Sequence, residues 1–411
     1  MLEPHHRHNV AAFLLDTAAV GGLTVVPLFV VTELGGGATM SGVIAGLQGA
    51  LYTTVSLVSA RFVSRAPKGV AWVAAGVPGF ALLFCLAPLT RNPYAYGAAS
   101  ATGFGCLALV WPALWTWVGS DRDPKTRARR IGQYNLSWSA GVAAGPLLAG
   151  WLYGFDYRLA FLCVFVLAAC ALCIELTVRH DRTGLAVTDC PGPQGPEDYD
   201  RVNDSFLYSA WLANAFGWVM VGVSRSVYVK RVEELVESGR LALFFEQPGD
   251  GDFPLSLTGA FTWLVFLTCF SRAVVFLLMG RHLFWRGRFS IVAMLQFVAA
   301  GASWVLAHTA GFAVMMGCFL LIGCANGACF VASIEYSLAN VNRRHRRAAI
   351  NEATVGGGIF IGGTILGLLA GQFGVTWPFR WMPALAFAAL AAELALLAYG
   401  RRTTQRPSHQ P

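Results

Sequence analysis

Among the ionisable side chains within the long apolar runs of this sequence, five stand out: Asp16, Arg225, Arg272, Glu335 and Glu352. A charge placed inside a bilayer costs ~2.5–3.5 kcal/mol on insertion scales, so each is a functional candidate. Asp16 stands in Phe13-Leu-Leu-Asp16-Thr17-Ala-Ala-Val-Gly21-Gly22, about two turns into the first apolar run. A carboxyl there can exchange its charge for a proton, and it reads as a proton or cation site. The alternative is a structural acceptor near an interface. Arg225 and Arg272 are suited to hold an anionic group of a substrate. Alternatively they pair with a carboxylate or with carbonyls, and Arg225 snorkels outward. Glu335 and Glu352 flank a basic loop holding Arg343, Arg344, Arg346 and Arg347. They read as an ion-pair cluster, as a gate whose pairs break in one state, or, with Asp16, as coupling groups for protons or ions.

Neutral polar residues within the runs are Gln48, Gln133, Asn135, Asn214, Gln296 and Asn326. Each can bind substrate or join helix to helix. Asn214, expected at the depth of Asp16, and Asn326 are the preferred substrate contacts, with Gln48 as a third. Trp111, beside Pro112, is a further candidate, whereas Trp115 and Trp117 suit an aromatic belt at the interface. Glu175 and Glu393 read as structural. Nine of the ten cysteines fall in apolar runs without metal-ligand spacing and read as small packing residues. No metal site, cofactor or catalytic group is expected. No phosphate-cradling Gly-x-x-x-x-Gly-Lys-Ser/Thr run is present, which argues against direct ATP drive and against an enzyme.

The elements that must position these groups follow from composition. Hydrophobic residues make 56% of the 411, and charged residues 13%, against about 25% in a soluble domain. The 45 glycines and 13 tryptophans suit helix contacts and interfaces of a multi-pass membrane protein. The runs lack the period-two alternation of a membrane barrel. At about 20 residues per span, the sequence predicts twelve helices. These cover 10–32, 38–60, 69–90, 94–118, 131–153 and 158–178, then 206–229, 256–280, 289–308, 312–340, 349–373 and 378–399. The expected organisation is a six-helix bundle over 1–178, a cytoplasmic linker over 179–205, a second six-helix bundle over 206–400 and a tail over 401–411. The loop 230–255 mixes charges with Val232, Leu235, Val236 and Leu241, and predicts a short amphipathic helix on the outer interface or a solvated loop. Loops on the N-terminal side hold 22 Lys and Arg against 6 on the other. That asymmetry places both termini in the cytoplasm. It also accounts for the net charge of +8 without a nucleic-acid partner. The expected setting is the plasma (inner) membrane.

The two halves repeat. Arg130 through Gly150 aligns with Arg347 through Gly367 at a constant offset of 217, matching Gly141 with Gly358, Gly145 with Gly362 and Gly150 with Gly367. Inverted or parallel repeats in a membrane protein imply a site between them near the midplane and access that alternates between the two faces.

Three stretches carry a family resemblance. In Ala60-Arg61-Phe62-Val63-Ser64-Arg65-Ala66-Pro67-Lys68, Arg65 and Lys68 fit a Gly-x-x-x-Asp-Arg-x-Gly-Arg loop. In Gly280-Arg281-His282-Leu283-Phe284-Trp285-Arg286-Gly287-Arg288, Gly280, Gly287 and Arg288 fit its counterpart. Gly141-Val-Ala-Ala-Gly145-Pro146-Leu-Leu-Ala149-Gly150 is similar to a Gly-x-x-x-Gly-Pro-x-x-Gly-Gly antiporter signature, and Pro146 predicts a kink. The chain resembles the major facilitator superfamily over essentially its whole length. The resemblance implies a secondary transporter, with these loops and the helix bearing Gly141, Gly145 and Gly150 as gating elements. The first loop has Ser64, and the second Phe284, where the family has an acid that helps latch the inner face.

The expectation is a monomeric, proton-coupled transporter of a small organic molecule, exporting it by alternating access. Two rivals are an importer or exchanger of organic anions through Arg225 and Arg272, and a membrane protein that senses or assembles without transporting.

Overall fold

A computed structural model of the chain describes residues 4–63, 69–111, 114, 124–177, 197–243, 256–338 and 344–405. Among these residues the fold is nearly all helical. The helices are α1 (Pro4–Thr32), α2 (Ala38–Val63), α3 (Gly69–Leu86), α4 (Pro93–Leu107), α5 (Pro124–Phe155), α6 (Tyr157–Thr177), α7 (Glu197–Ser226), the short α8 (Tyr228–Glu237), α9 (Leu257–Arg281), α10 (Phe289–His308), α11 (Phe312–Leu338), α12 and α13 (Trp377–Gln405). Helix α12 has three consecutive parts, Arg344–Phe360, a π-helical turn Ile361–Ile365, and Leu366–Phe373. Nine of the described helices are long and apolar enough to cross a bilayer.

Local chemistry sets several ends. Asn92 caps α4 by accepting from the backbone N–H groups of Tyr94 and Ala95, and Pro93 follows at the first helical position. Ser256 caps α9 through the N–H of Gly259. The span expected over 289–308 coincides with α10. Others begin earlier than hydropathy alone predicts. α1 starts at Pro4, so Asp16 lies about three and a half turns in instead of two. α5 starts at Pro124 and continues through Pro146. α7 starts at Glu197, so the expected linker is helical over its last part. Charged first turns lower hydropathy but still form helix, because Arg, Lys and Glu are good helix formers. Arg65, Lys68, Trp115 and Trp117, with most of the linker and residues 406–411, lie outside the described residues.

Glycines set the helix contacts, and they do so twice. A Cβ on Gly141 would lie 2.4 Å from Phe13 O, and one on Gly145 would lie 2.7 Å from Thr17 O, so α5 meets α1 backbone to backbone. The same contacts join α12 to α7: Gly358 against Ala215 O at 2.4 Å and Gly362 against Val219 O at 2.3 Å. Gly150 then meets Thr262 on α9, and its counterpart Gly367 meets Gly42 on α2. The 217-residue repeat read from sequence is thus repeated in the contacts. Phe13 pairs with Ala215 and Thr17 with Val219, each 202 positions on. That shorter offset corrects one expectation: the counterpart of Asp16 is Trp218, and Asn214 lies about one turn before it. The difference between the offsets is taken up by the longer α8 region between α7 and α9.

Helices α2 and α12 run antiparallel in close contact. A Cβ on Gly42 would approach Gly363 O to 2.5 Å, and one on Gly49 would approach Gly356 O to 2.5 Å. The π-helical turn of α12 lies in this seam, opposite Gly42 and Gly46. Thr39 Oγ1 donates to Gly367 O at 3.4 Å, and Ser41 Oγ donates to Ser226 O at 2.5 Å. These contacts join the first and second halves of the sequence at the end where α1 and α7 finish, called the distal end below. Helix α8 caps that end. It is amphipathic as expected, but Val229, Val232 and Leu235 are fully buried in protein instead of lying on an outer interface. Tyr228 Oη donates to Leu306 O at 3.2 Å, and Ala242 exchanges backbone bonds with Ala310 and Phe312. The apolar face was legible in sequence; its partners are chiefly α9 and α7, with α1 and α2 beside them.

A candidate substrate cavity between the two halves

A cavity of about 120 Å3 lies between helices of both halves. From the first half, α1 contributes Asp16, Ala19, Val20 and Leu23, α2 contributes Tyr52, α4 contributes Phe104 and Leu107, and α5 contributes Trp138 and Val142. Trp111 also lines it. From the second half, α7 contributes Trp218, Val221, Ser224 and Arg225, α9 contributes Val265, Thr268, Cys269 and Arg272, and α11 and α12 complete the wall. Four charged side chains therefore share one small chamber: Asp16, Glu352, Arg225 and Arg272.

The carboxyl groups are held from within the wall. Tyr52 Oη donates to Glu352 Oε2 at 2.7 Å. The Trp138 indole lies beside Asp16, and Asp16 Oδ2 has no partner among the described residues. Trp138 stacks in turn on Phe276 and Phe330, with ring centroids 5.1 and 5.9 Å apart. The indole beside Asp16 is thereby clamped by the second half.

The arginines are held differently. Arg272 places its guanidinium 5.2 Å from the Trp218 ring centroid and donates to Asn326 Oδ1 at a long 3.5 Å. Among the described residues, neither arginine has a carboxylate within 4.0 Å, and Arg225 Nη2 and Arg272 Nε have no acceptor. Arg225 does not snorkel outward. It is 8% exposed and lies on the chamber wall, two turns beyond Trp218.

Several expected contacts lie elsewhere. Asn214 does not line the cavity. Its Nδ2 donates to Thr354 Oγ1 at 2.9 Å and to Asn351 Oδ1 at 3.5 Å, tying α7 to α12. Asn326 is fully buried behind Arg272, and Gln48 is buried on α2 outside the chamber. Glu335 forms an ion pair with Arg286 away from the chamber, half exposed. The chamber side of a helix depends on its rotation, which polarity alone does not give. Glu393 accepts from Gln296 Nε2 at 3.2 Å, and Glu175 pairs with His8 at 2.7 Å, both away from the chamber.

Gly287 adopts φ +69°, and its N–H donates to Tyr336 Oη at 3.0 Å, so the turn from α9 to α10 needs glycine there. Arg288 is the residue before α10, and a side chain at Gly280 would meet nothing within 4 Å. The residues that polarity did not single out are Tyr52, Trp138, Trp218 and Cys269. Aromatic residues in apolar runs look like core or belt; the 202-residue offset from Asp16 is the one signal that points to Trp218.

The Major Facilitator Superfamily profile matches residues 9–346. No curated protein sequence gives a significant match. Solved structures do resemble the fold. An alanine mutant of the nucleoside transporter NupG superposes with a TM-score of 0.70 at 14% identity, covering 96% of this chain and 100% of that one. A POT family transporter in complex with a thioalcohol-conjugated peptide gives 0.67 at 13% identity, covering 98% and 96%. A bacterial homologue of the human lysosomal transporter Spinster, inward-facing and occupied, gives 0.61 at 13% identity, covering 99% and 98%.

Proposed function

The chain belongs to the Major Facilitator Superfamily, and from that premise we propose that it moves a small organic molecule across the membrane, coupled to protons, through the chamber between its halves. It is an integral multi-pass membrane transporter. Proton coupling, the twelve-span arrangement as two six-helix bundles over 1–178 and 206–400, and the monomeric state are part of the proposal.

The observation that carries the coupling is the bond from Tyr52 on α2 to Glu352 on α12, made across the seam between the halves and on the chamber wall. An ionised carboxylate accepts a stronger hydrogen bond than a neutral one. Protonating Glu352 therefore weakens a link that holds α2 to α12, and favours a state in which the seam parts. Asp16, beside Trp138, is the second proton-carrying group. The cross-half contacts at Thr39, Ser41 and Gly42 keep the distal end shut. With both termini cytoplasmic, as the arginine asymmetry proposes, this is a conformation closed to the outside.

The Gly-x-x-x-Gly-Pro stretch is accounted for by packing, because Gly358 and Gly362 repeat its contacts on α7. Export direction is therefore left out of the proposal. Reconstituted full-length protein, screened under an imposed pH gradient, tests it. At least one compound accumulates in wild-type vesicles, and Asp16→Asn or Glu352→Gln abolishes accumulation while exchange of preloaded compound persists. Accumulation at wild-type level in both variants would remove these carboxyls from coupling.

A further inference from the structure

Both guanidinium groups of the chamber come from the second half, and we propose that its ligand is a single-ring organic anion whose acidic head lies between Arg225 and Arg272. This rests on the reading of the chamber as the substrate site and names what fills it. Each half supplies one carboxyl group, Asp16 and Glu352, and aromatic rings; the second half alone supplies guanidinium groups. Arg225 and Arg272 are 8% and 5% exposed, and neither has an acid within 4.0 Å among the described residues. Arg225 Nη2, Arg272 Nε, Ser224 Oγ and Trp218 Nε1 all lack an acceptor there. All four belong to residues lining the chamber. Buried donors without acceptors cost free energy, most of all charged ones, and call for an explanation. A carboxylate-bearing ligand supplies one, because guanidinium groups match planar oxyanions in geometry and charge.

The rest of the wall sets the remainder of the ligand. Phe104, Trp111, Trp138, Phe319 and Phe330 offer ring faces and edges. The volume is about 120 Å3. An engineered cavity of about 150 Å3 holds benzene, so the scale is that of one ring. A cationic ligand gains no net attraction, because Arg225 and Arg272 offset Asp16 and Glu352 in the same chamber. A sugar finds few partners for its hydroxyls on so apolar a wall. An inorganic anion shares the head chemistry but leaves the aromatic wall unused.

The test uses full-length protein in nanodiscs and follows tryptophan fluorescence, since three indoles line the chamber. Benzoate, benzyl alcohol, benzylamine and inorganic phosphate are titrated. Benzoate is expected to bind at least about tenfold tighter than the other three. Arg225→Gln and Arg272→Gln each weaken it by about tenfold or more, and Arg272→Lys by less. Equal affinity for benzyl alcohol or phosphate, or benzoate binding unchanged in both glutamine variants, overturns the proposal. If the arginine variants do not fold, the Cys269 thiol reports in wild type, because it lies beside both guanidinium groups. A sulfonate-bearing methanethiosulfonate should modify it faster than a trimethylammonium one, and benzoate should slow both. The opposite order of rates overturns the proposal. Flux of a compound from another class, with no benzoate binding, rejects this ligand class and leaves the transport reading standing. Benzoate binding without flux of any compound does the reverse.

Discussion

Tyr52 and Glu352 lie 300 residues apart in sequence and 2.7 Å apart in space, joining α2 to α12 on the wall of the chamber. The bond joins a group that can change its charge to the seam that parts in the proposed transport cycle. Removing the phenol while keeping the acid isolates that link. Tyr52→Phe should leave binding within about threefold of wild type but flatten the pH dependence of flux. Glu352→Gln should flatten it further. An unchanged pH profile in Tyr52→Phe would mean that the bond is structural only.

The glycine contacts divide into two kinds. Gly145 meets α1 within one half, whereas Gly42 meets α12 across the seam. Gly145→Leu should therefore lower stability, by the roughly 1–3 kcal/mol typical of overpacking, and thermal unfolding reads that loss. Gly42→Leu should instead push the distal end apart. Spin labels placed on α2 and α12 at that end should show a longer distance in Gly42→Leu, with a smaller drop in melting temperature. A longer distance in Gly145→Leu and none in Gly42→Leu would reverse the assignment.

Asn214 separates binding from support. Its bond to Thr354 ties α7 to α12 behind the chamber wall. Asn214→Ala should lose about 0.6 kcal/mol, the average for a hydrogen bond between membrane helices, and leave KM unchanged. A KM raised tenfold with normal stability would return Asn214 to the ligand.

Much of this arrangement is legible in the sequence. Long runs with few charges give helices, and the span 289–308 needed no correction. The repeat was visible in Gly141, Gly145 and Gly150 against Gly358, Gly362 and Gly367, because close helix contact tolerates little else there. Asp16, Arg225, Arg272 and Glu352 stood out because charge in an apolar run is costly. What sequence did not give was rotation about each helix axis. Gln48, Asn214 and Asn326 are as polar as a chamber residue needs to be, yet they face other helices. Neither polarity nor spacing singles out Trp138 and Trp218, and their place at the chamber depends on which glycine ridges meet. Loop length mattered too, since α8 shifts the repeat offset and hid Trp218 as the partner position of Asp16.

The charges around the chamber fix the sign of coupling for an anionic ligand. Asp16, Glu352, Tyr52, Tyr134 and Cys269 are the titratable groups facing one another there, with Arg225 and Arg272 as cations. An added anion attracts a proton to the same site, and by linkage the proton tightens the anion by the same factor. Benzoate affinity should therefore rise as pH falls from 8 to 6, with the protonation of benzoate itself negligible in that range. Arg272→Gln should weaken affinity throughout. Affinity that falls over the same range would indicate competition between ligand and proton.

Proton movement that accompanies substrate movement tests the central claim most directly. Vesicles holding only this protein and a lumenal pH dye would receive a substrate found in the flux screen, without an imposed gradient. The account predicts a substrate-dependent change of lumenal pH in wild type and none in the Asp16→Asn, Glu352→Gln double variant. Substrate entry at the wild-type rate with no change in lumenal pH would contradict it.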